Sequence, residues 1–368
     1  MERTKQVSLH AQMKRKVSDA IKTPNGRSIT SELIPMGSTL LNLAMSGTVH
    51  GGAKKGTMIN IIGASHGGKS ILALTAFAEA ASRKRFDTYS LIYDDVERAN
   101  SFDMEYMFGV NAASRIIPPR LDKDDNYSCT VQHLQANVMH WLRKKVPFIY
   151  VLDSFDALDA LEDQKKVEEM SEALEKDKKD IPGTYGMAKA KAASSILRGI
   201  TSGIADTNSA LFIISQTRDN VDPRDFQKTT RSGGRALKFY AHHELWLSVN
   251  GSSIRKKDTV IGNSIKVKIS KNKITGKQRE VKFDIYYDYG IDDIGSCIDY
   301  LIEMKRWSGG GSAKINHNGD FTFESCTRAK MIAQMEDERL YTKLQSLVQE
   351  EWDSFEESIR LNRKSKYT

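Results

Sequence analysis

Eight residues, Gly63-Ala64-Ser65-His66-Gly67-Gly68-Lys69-Ser70, have the types and spacing for phosphate chemistry. They stand between an apolar, strand-like run at 57–62 and a helical run that begins Ile71-Leu72-Ala73-Leu74. This is Gly-x-x-x-x-Gly-Lys-Ser in its working context of strand, tight loop and helix. Glycines let backbone N–H groups turn toward an anion with no Cβ in the way, and a helix N-terminus adds partial positive charge. In such a loop Lys69 reaches the β- and γ-phosphates, and the Ser70 hydroxyl ligates Mg2+. A glycine-rich turn without a ligand is the plainer reading, but motif and context together favour a nucleotide site.

Hydrolysis needs three further groups: an acid near Mg2+, a residue that orients water, and a sensor of the γ-phosphate. Asp153 follows the apolar run 148–152 and fits the first, with a plain strand-end aspartate as the alternative. Glu97 can polarise water from just beyond the strand at 88–93, and Asp94 and Asp95 compete with it for that role. Gln216 closes the apolar run 210–215. Its amide can donate to an anion without carrying charge, and a polar strand cap is an equally good account of it.

Elements must hold these groups together. Strands at 57–62, 88–93, 148–152 and 210–215 alternate with helices after 70, near 102–108, over about 129–145 and over 187–204. That alternation predicts an α/β domain with a mostly parallel, twisted sheet whose ligands sit at the carboxyl ends of the strands. The acids and the glutamine all fall at such ends. Loop 217–234 is too long for an ordinary connection and reads as functional. Strands follow near 243–250, 264–271 and 280–287, with hairpin turns in 251–263 and at 275–276.

The flanks differ in character. Residues 1–30 carry seven basic side chains against Glu2 and Asp19, a net of +5, with Leu9, Met13, Val17, Ala20 and Ile21 at helical spacing after Ser8. Such a helix has little to pack against unless it docks on the domain or on another subunit. Residues 162–178 mix both signs of charge as a solvated helix would, and 182–186 break it into a loop. Past Gly290 the pattern predicts a helix over 291–306, a flexible turn at 308–312, a small hairpin in 314–324, and a final amphipathic helix. That helix aligns Leu340, Leu344, Leu347, Val348, Trp352, Phe355 and Ile359 on one face. The chain thus divides into an N-terminal helix and linker (1–34), an ATPase-like core (35–290) and a small α/β C-terminal domain (291–368).

Over 368 residues the chain is 39% hydrophobic and 28% charged, the composition of a soluble globular protein. No run is long and apolar enough to span a bilayer, and the first residues do not begin a signal peptide, so a cytoplasmic protein is expected. Cys129, Cys297 and Cys326 are far apart and read as reduced thiols, with no zinc-ligand spacing. A net charge of +8 favours an anionic partner, but 55 basic residues face 47 acidic ones, so the placement of the charges must decide.

That placement carries a resemblance. Arg231-Ser232-Gly233-Gly234-Arg235-Ala236-Leu237-Lys238-Phe239-Tyr240 closely resembles the end of the second DNA-binding loop of RecA-type recombinases. The stretch 265–274, Ile-Lys-Val-Lys-Ile-Ser-Lys-Asn-Lys-Ile, is similar to that family's strand with Lys-x-Lys at the subunit interface. The likeness covers about residues 35–305 in order, and the charged insert at 160–185 with the altered C-terminus leans toward the tailed-phage branch.

The resemblance implies a RecA-like P-loop ATPase core, with ATP and Mg2+ as cofactors and single-stranded and homologous double-stranded DNA as partners. It implies a homo-oligomeric helical filament, and a single-strand-binding protein and a loader as further partners. It favours Glu97 as the water-activating residue and gives Gln216 the nucleotide-sensing role. It assigns Lys271 and Lys273 to ATP held by the neighbouring subunit, and the basic N-terminal helix to docking on that subunit. Lys191, Ser194, Arg198, Arg218, Arg231, Gly233 and Gly234 fall at or near positions that hold DNA. The adenine-stacking aromatic aligns near Met104, flanked by Phe102 and Tyr106, and His66 is an unusual space-filler in the phosphate loop. The function implied is ATP-dependent strand exchange. A ring-forming motor such as a replicative helicase is the alternative, and a DNA-binding mediator with a silent nucleotide site is a third reading.

Overall fold

Each of the first five core strands is followed by helix, which is what parallel pairing requires, because the chain must cross back over the sheet before pairing again. The computed structural model describes residues 32–122, 126–165, 187–219, 229–231, 234–364 and 366. The strands are β1 (Thr57–Gly63), β2 (Ser90–Asp95), β3 (Ile116–Ile117), β4 (Phe148–Asp153), β5 (Ala210–Asp219) and β6 (His243–Val249). An antiparallel extension follows, made of β7 (Thr259–Asn272), β8 (Glu280–Tyr286) and β9 (Gly290–Asp292). The main path across the sheet runs β9-β8-β7-β6-β1-β5-β4-β2-β3. The fold is therefore α/β with a mostly parallel central sheet.

The main helices are α1 (Thr39–Ser46), α2 (Lys69–Ala81), α3 (Val131–Lys144), α4 (Met187–Asp206), α5 (Gly234–Tyr240), α6 (Asp293–Glu303), α7 (Arg328–Asp337) and α8 (Tyr341–Ser358). They cover both faces of the sheet, so all seven residues of β1 are buried, as its near-continuous apolar run requires. Ile59 and Ile61 meet α1 and α2 on one face, while Met58 meets α3, α4 and Leu237 of α5 on the other.

The segment beyond β9 packs its apolar face into the first of these clusters through Ile298, Leu301, Met331, Leu344, Val348 and Trp352. A buried carboxylate fastens it there. Asp293 Oδ1 accepts the Thr39 backbone N–H at 2.6 Å, and Oδ2 accepts the hydroxyls of Thr39 at 2.7 Å and Tyr341 at 2.5 Å. Burial pushes the Asp293 carboxyl up to about 6, against the opposing effect of these hydrogen bonds.

Several elements differ from the sequence reading. A second short helix, Val110–Arg115, follows Met104–Phe108, because Gly109 at φ 81° turns the chain without ending its helical tendency. Ser308–Gly310 is not a flexible turn but a strand paired with Ala313–Asn316, so the hairpin starts earlier. The 251–263 stretch holds a strand, Ile254–Lys256, paired with the start of β7. The final helix stops at Ser358, leaving Ile359 52% exposed, so its apolar face is shorter than the spacing implied. The N-terminal helix and most of the charged 160–185 insert lie outside the described residues.

Candidate active site

Strand register brings the site together before any side chain is considered. Gly63 pairs with Gln216 across β1 and β5, and Asp95 pairs with Asp153 across β2 and β4. The phosphate loop, the strand-end acid and the glutamine thus share one edge of the sheet, the carboxyl ends of the parallel strands.

Within the loop, Gly68 adopts φ 77° and serves as the N-cap of α2. A Cβ there would lie 2.5 Å from Ile285 Cδ1, so both backbone conformation and space demand glycine. His66 also takes a left-handed conformation, φ 60°, with its side chain exposed at the rim. Lys69 is buried, and its Nζ donates to the Ala64 carbonyl at 2.7 Å, folded across the loop. Burial lowers the Lys69 pKa, and Asp153, Glu97 and Asp156 offset part of that effect. These features suit a phosphate group: a cradle that excludes Cβ, and a buried ammonium folded across it.

Ser70 Oγ donates to Asp153 Oδ2 at 2.6 Å, and the Tyr93 hydroxyl donates to the same oxygen at 2.8 Å. Burial raises the Asp153 pKa, and the bonds from Ser70 and Tyr93 oppose the shift. A hydroxyl and a carboxylate converging beside a phosphate loop are the hard oxygen donors that Mg2+ prefers. The donor set fits that ion.

The three acids near β2 occupy different environments. Asp94 is fully buried and accepts from the Ser128 backbone N–H, the Ser128 hydroxyl and the Tyr150 hydroxyl. It braces the chain ahead of α3 and has no route to solvent. Asp95 accepts the backbone N–H groups of Ala99 and Asn100, at 3.3 and 3.1 Å, and shapes the following turn. Glu97 is exposed and faces the site: Ser154 Oγ donates to its Oε1 at 2.5 Å and Gln216 Nε2 at 3.2 Å.

Beside the loop lies a cavity of about 270 Å3 lined by Gly68, Ser70, Phe102, Asn263, Ile285 and Tyr287, among others. Phe102 is the aromatic of its segment that reaches it, whereas Tyr106 is 73% exposed and Met104 packs against the core. Sequence reasoning missed Tyr287 and Asn263, which belong to a distant hairpin; Asn263 Nδ2 donates to the Tyr287 hydroxyl at 3.1 Å. The pair of consecutive tyrosines at 286–287 was an available signal, but nothing local ties it to the loop.

Lys271 and Lys273 are not near this edge. Lys271 pairs with Glu244, which is level with Asn60, and the Lys273 backbone N–H donates to the His242 carbonyl at 3.0 Å. Lys271 therefore sits about 10 Å back from Gly63 along the strands and roughly 10 Å to the side, two strands over. Its Nζ donates to the carbonyls of Lys238 and Phe239, the latter at 3.1 Å, at the C-terminus of α5.

Of the residues assigned to DNA, Lys191, Ser194 and Arg198 share one stripe of α4, with Lys191 and Arg198 exposed and Ala193, Ile196, Leu197 and Ile200 buried beneath. Arg198 Nε donates to the Tyr240 hydroxyl at 3.2 Å, joining that stripe to α5. Arg218 and Arg231 belong to the two arms of the long loop, which pair antiparallel over 217–219 and 229–231. Gly234 begins α5, and Gly233 lies outside the described residues.

A phosphate loop between β1 and α2, with an acid two strands away on a mostly parallel sheet, defines a P-loop nucleotide-binding protein. The more particular assignment comes from comparison. The chain belongs to the RecA family: the model of the RecA N-terminal domain matches residues 9–292. Its relatives include Protein RecA of Caulobacter vibrioides, 30% identical over 296 residues that cover 78% of this chain and 75% of that protein. Protein RecA of Syntrophus aciditrophicus is 30% identical over 300 residues, covering 79% and 78%. Protein RecA of Caulobacter sp. strain K31 is 32% identical over 272 residues, covering 74% and 68%. Among the described residues no helix is long and apolar enough to cross a membrane.

Proposed function

We propose that this chain is an ATP-dependent homologous recombinase that assembles on single-stranded DNA as a helical filament and exchanges strands with homologous duplex. The observation that carries this reading is the separation of Lys271 from its own phosphate loop, about 10 Å back from Gly63 along the strands and roughly 10 Å to the side. A cation placed there completes a nucleotide site only on a neighbouring copy. A helical assembly supplies that neighbour, and the family membership favours it over a closed motor ring.

In this reading Lys69 and the loop N–H groups hold the β- and γ-phosphates, and Ser70 with Asp153 holds Mg2+. The metal, when bound, neutralises charge on the phosphate oxygens. Glu97 accepts a proton from the attacking water, and Ser154 keeps its carboxylate turned inward. Gln216 leaves Glu97 to donate to the γ-phosphate, which links the nucleotide state to the loop beginning at the next residue. Lys271 and Lys273 of an adjacent subunit add positive charge where it develops in the transition state. Phe102 and Tyr287 flank the base, in place of the aromatic expected near Met104.

DNA would run along Lys191, Ser194 and Arg198 of α4 and between the arms carrying Arg218 and Arg231, with Gly233 and Gly234 as backbone donors beyond them. Cations and backbone N–H donors on phosphates give affinity without sequence preference. A single-strand-binding protein and a loader are the accessory partners such a filament would meet.

Electron microscopy with single-stranded DNA and a non-hydrolysable ATP analogue, paired with a strand-exchange assay, tests the proposal. Open helices that exchange homologous but not heterologous duplex are expected; closed rings without exchange would overturn it.

A further inference from the structure

The turn after β4 makes three contacts in four residues. Asp153 accepts from Ser70, Ser154 donates to Glu97, and Asp156 Oδ2 accepts the backbone N–H of Gln216 at 2.6 Å. Gln216 Nε2 in turn donates to Glu97. Ser154, Glu97, Gln216 and Asp156 therefore form a closed ring of contacts, shut on one side by the short 3-10 turn Phe155–Ala157.

Gln216 occupies a special place in that ring. It pairs with Gly63 as the strand edge meets the phosphate loop, and the chain beyond it enters the arm 217–219 of the long loop. Its side chain touches the hydrolytic glutamate while its backbone is held by a carboxylate. A backbone N–H given to a carboxylate makes a charge-assisted bond, about twice as strong as a neutral one. Asp156 thus grips the root of the loop rather than any side chain.

We propose that Asp156 is a positioning residue for ATP turnover. Its carboxylate anchors the Gln216 backbone, so that a displacement of the arm 217–219 on DNA binding turns the Gln216 side chain at Glu97 instead of dissipating at the arm's root. The proposal rests on the reading of Gln216 as the nucleotide sensor. No motif marks Asp156.

The test is steady-state ATP hydrolysis by the full chain, with and without single-stranded DNA, for Asp156→Ala, Asp156→Asn and Gln216→Ala. Removing the acceptor in Asp156→Ala should lower DNA-stimulated kcat about tenfold, while Asp156→Asn, which keeps an acceptor but no charge, should lose about threefold. KM for ATP should stay within about twofold of the parent in both, because neither change removes a phosphate contact. A variant with parent kcat and parent DNA stimulation overturns the proposal. So does a loss that is equal with and without DNA, or one that comes with weakened nucleotide binding. If Asp156→Ala does not fold, the near-isosteric Asp156→Asn decides by the same criteria. Gln216→Ala separates the two layers: if it keeps full DNA stimulation, the sensor reading fails. If it loses stimulation while Asp156→Ala keeps it, only the anchor fails.

Discussion

Ser70 and Asp153 lie 83 positions apart, yet the Ser70 hydroxyl donates to Asp153 Oδ2 at 2.6 Å. The bond exists because β1 and β4 flank β5 in one parallel register and end at the same edge. These are the two oxygens that would hold Mg2+, so the pair should act as a unit. Ser70→Ala and Asp153→Asn should each cut ATP hydrolysis by about 100-fold or more, with a double variant no worse than either single one. Mg2+ titration of turnover checks this, and additive losses would separate the two residues.

Lys271 is set back from the edge that Glu97 faces, and their variants should complement each other. Lys271→Ala and Glu97→Ala should each be nearly inactive alone. An equimolar mixture assembled on DNA should recover up to about a quarter of parent turnover per site, since one in four interfaces then pairs two intact halves. A mixture as inactive as its components would place the lysine's role within its own subunit.

Phe102 and Tyr287 flank the cavity beside the phosphate loop. Phe102→Ala should raise KM for ATP about five- to tenfold with little change in kcat, the size of one lost aromatic contact. Met104→Ala, a packing residue, should lower thermal stability and leave KM nearly unchanged. Nucleotide titration with thermal melts distinguishes these outcomes.

Asp293 gives stability a specific pH signature. Its folded pKa, about 6, lies above the ordinary value of 3.8, so the native state keeps a proton that the unfolded chain releases. Its contribution is therefore most favourable below the unfolded value and declines as pH rises through the folded one. Relative to Asp293→Asn, the parent should gain about 1 to 2 kcal/mol in unfolding free energy on going from pH 7 to pH 5. Urea unfolding of both proteins at both pH values measures the difference, and a constant gap would contradict it.

Much of the architecture was legible because it follows from local pattern. The apolar run 57–62 reads as a strand and the spacing after it as a helix, with the phosphate loop between them, and the structure has β1 and α2 there. The divergences came where local signals were weak. Three glycines at 309–311 look like a flexible turn, but their positive φ values of 96°, 105° and 62° shape a tight hairpin. Ile359 has the spacing of a core residue, yet the helix ends one position before it.

The sequence by itself determined the phosphate loop, since glycine geometry, the lysine and the serine act within eight consecutive residues. It also placed Asp153 at a strand end; the run that it ended at Gln216 continues in the structure to Asp219, and Gln216 is instead where the pairing with β1 stops. The residues alone left Asp94, Asp95 and Glu97 in competition; the family resemblance favoured Glu97, and the tertiary structure shows what sets it apart. Asp94 and Glu97 are three residues apart, the first within β2 and the second just past its end. What separates them is that Ser128 and Tyr150 bury one, while Ser154 and Gln216 meet the other. The places of Tyr287, Lys271 and Asp156 were decided in the same way. Burial and hydrogen-bond partners are long-range properties, and a strand's register with its neighbours sets them.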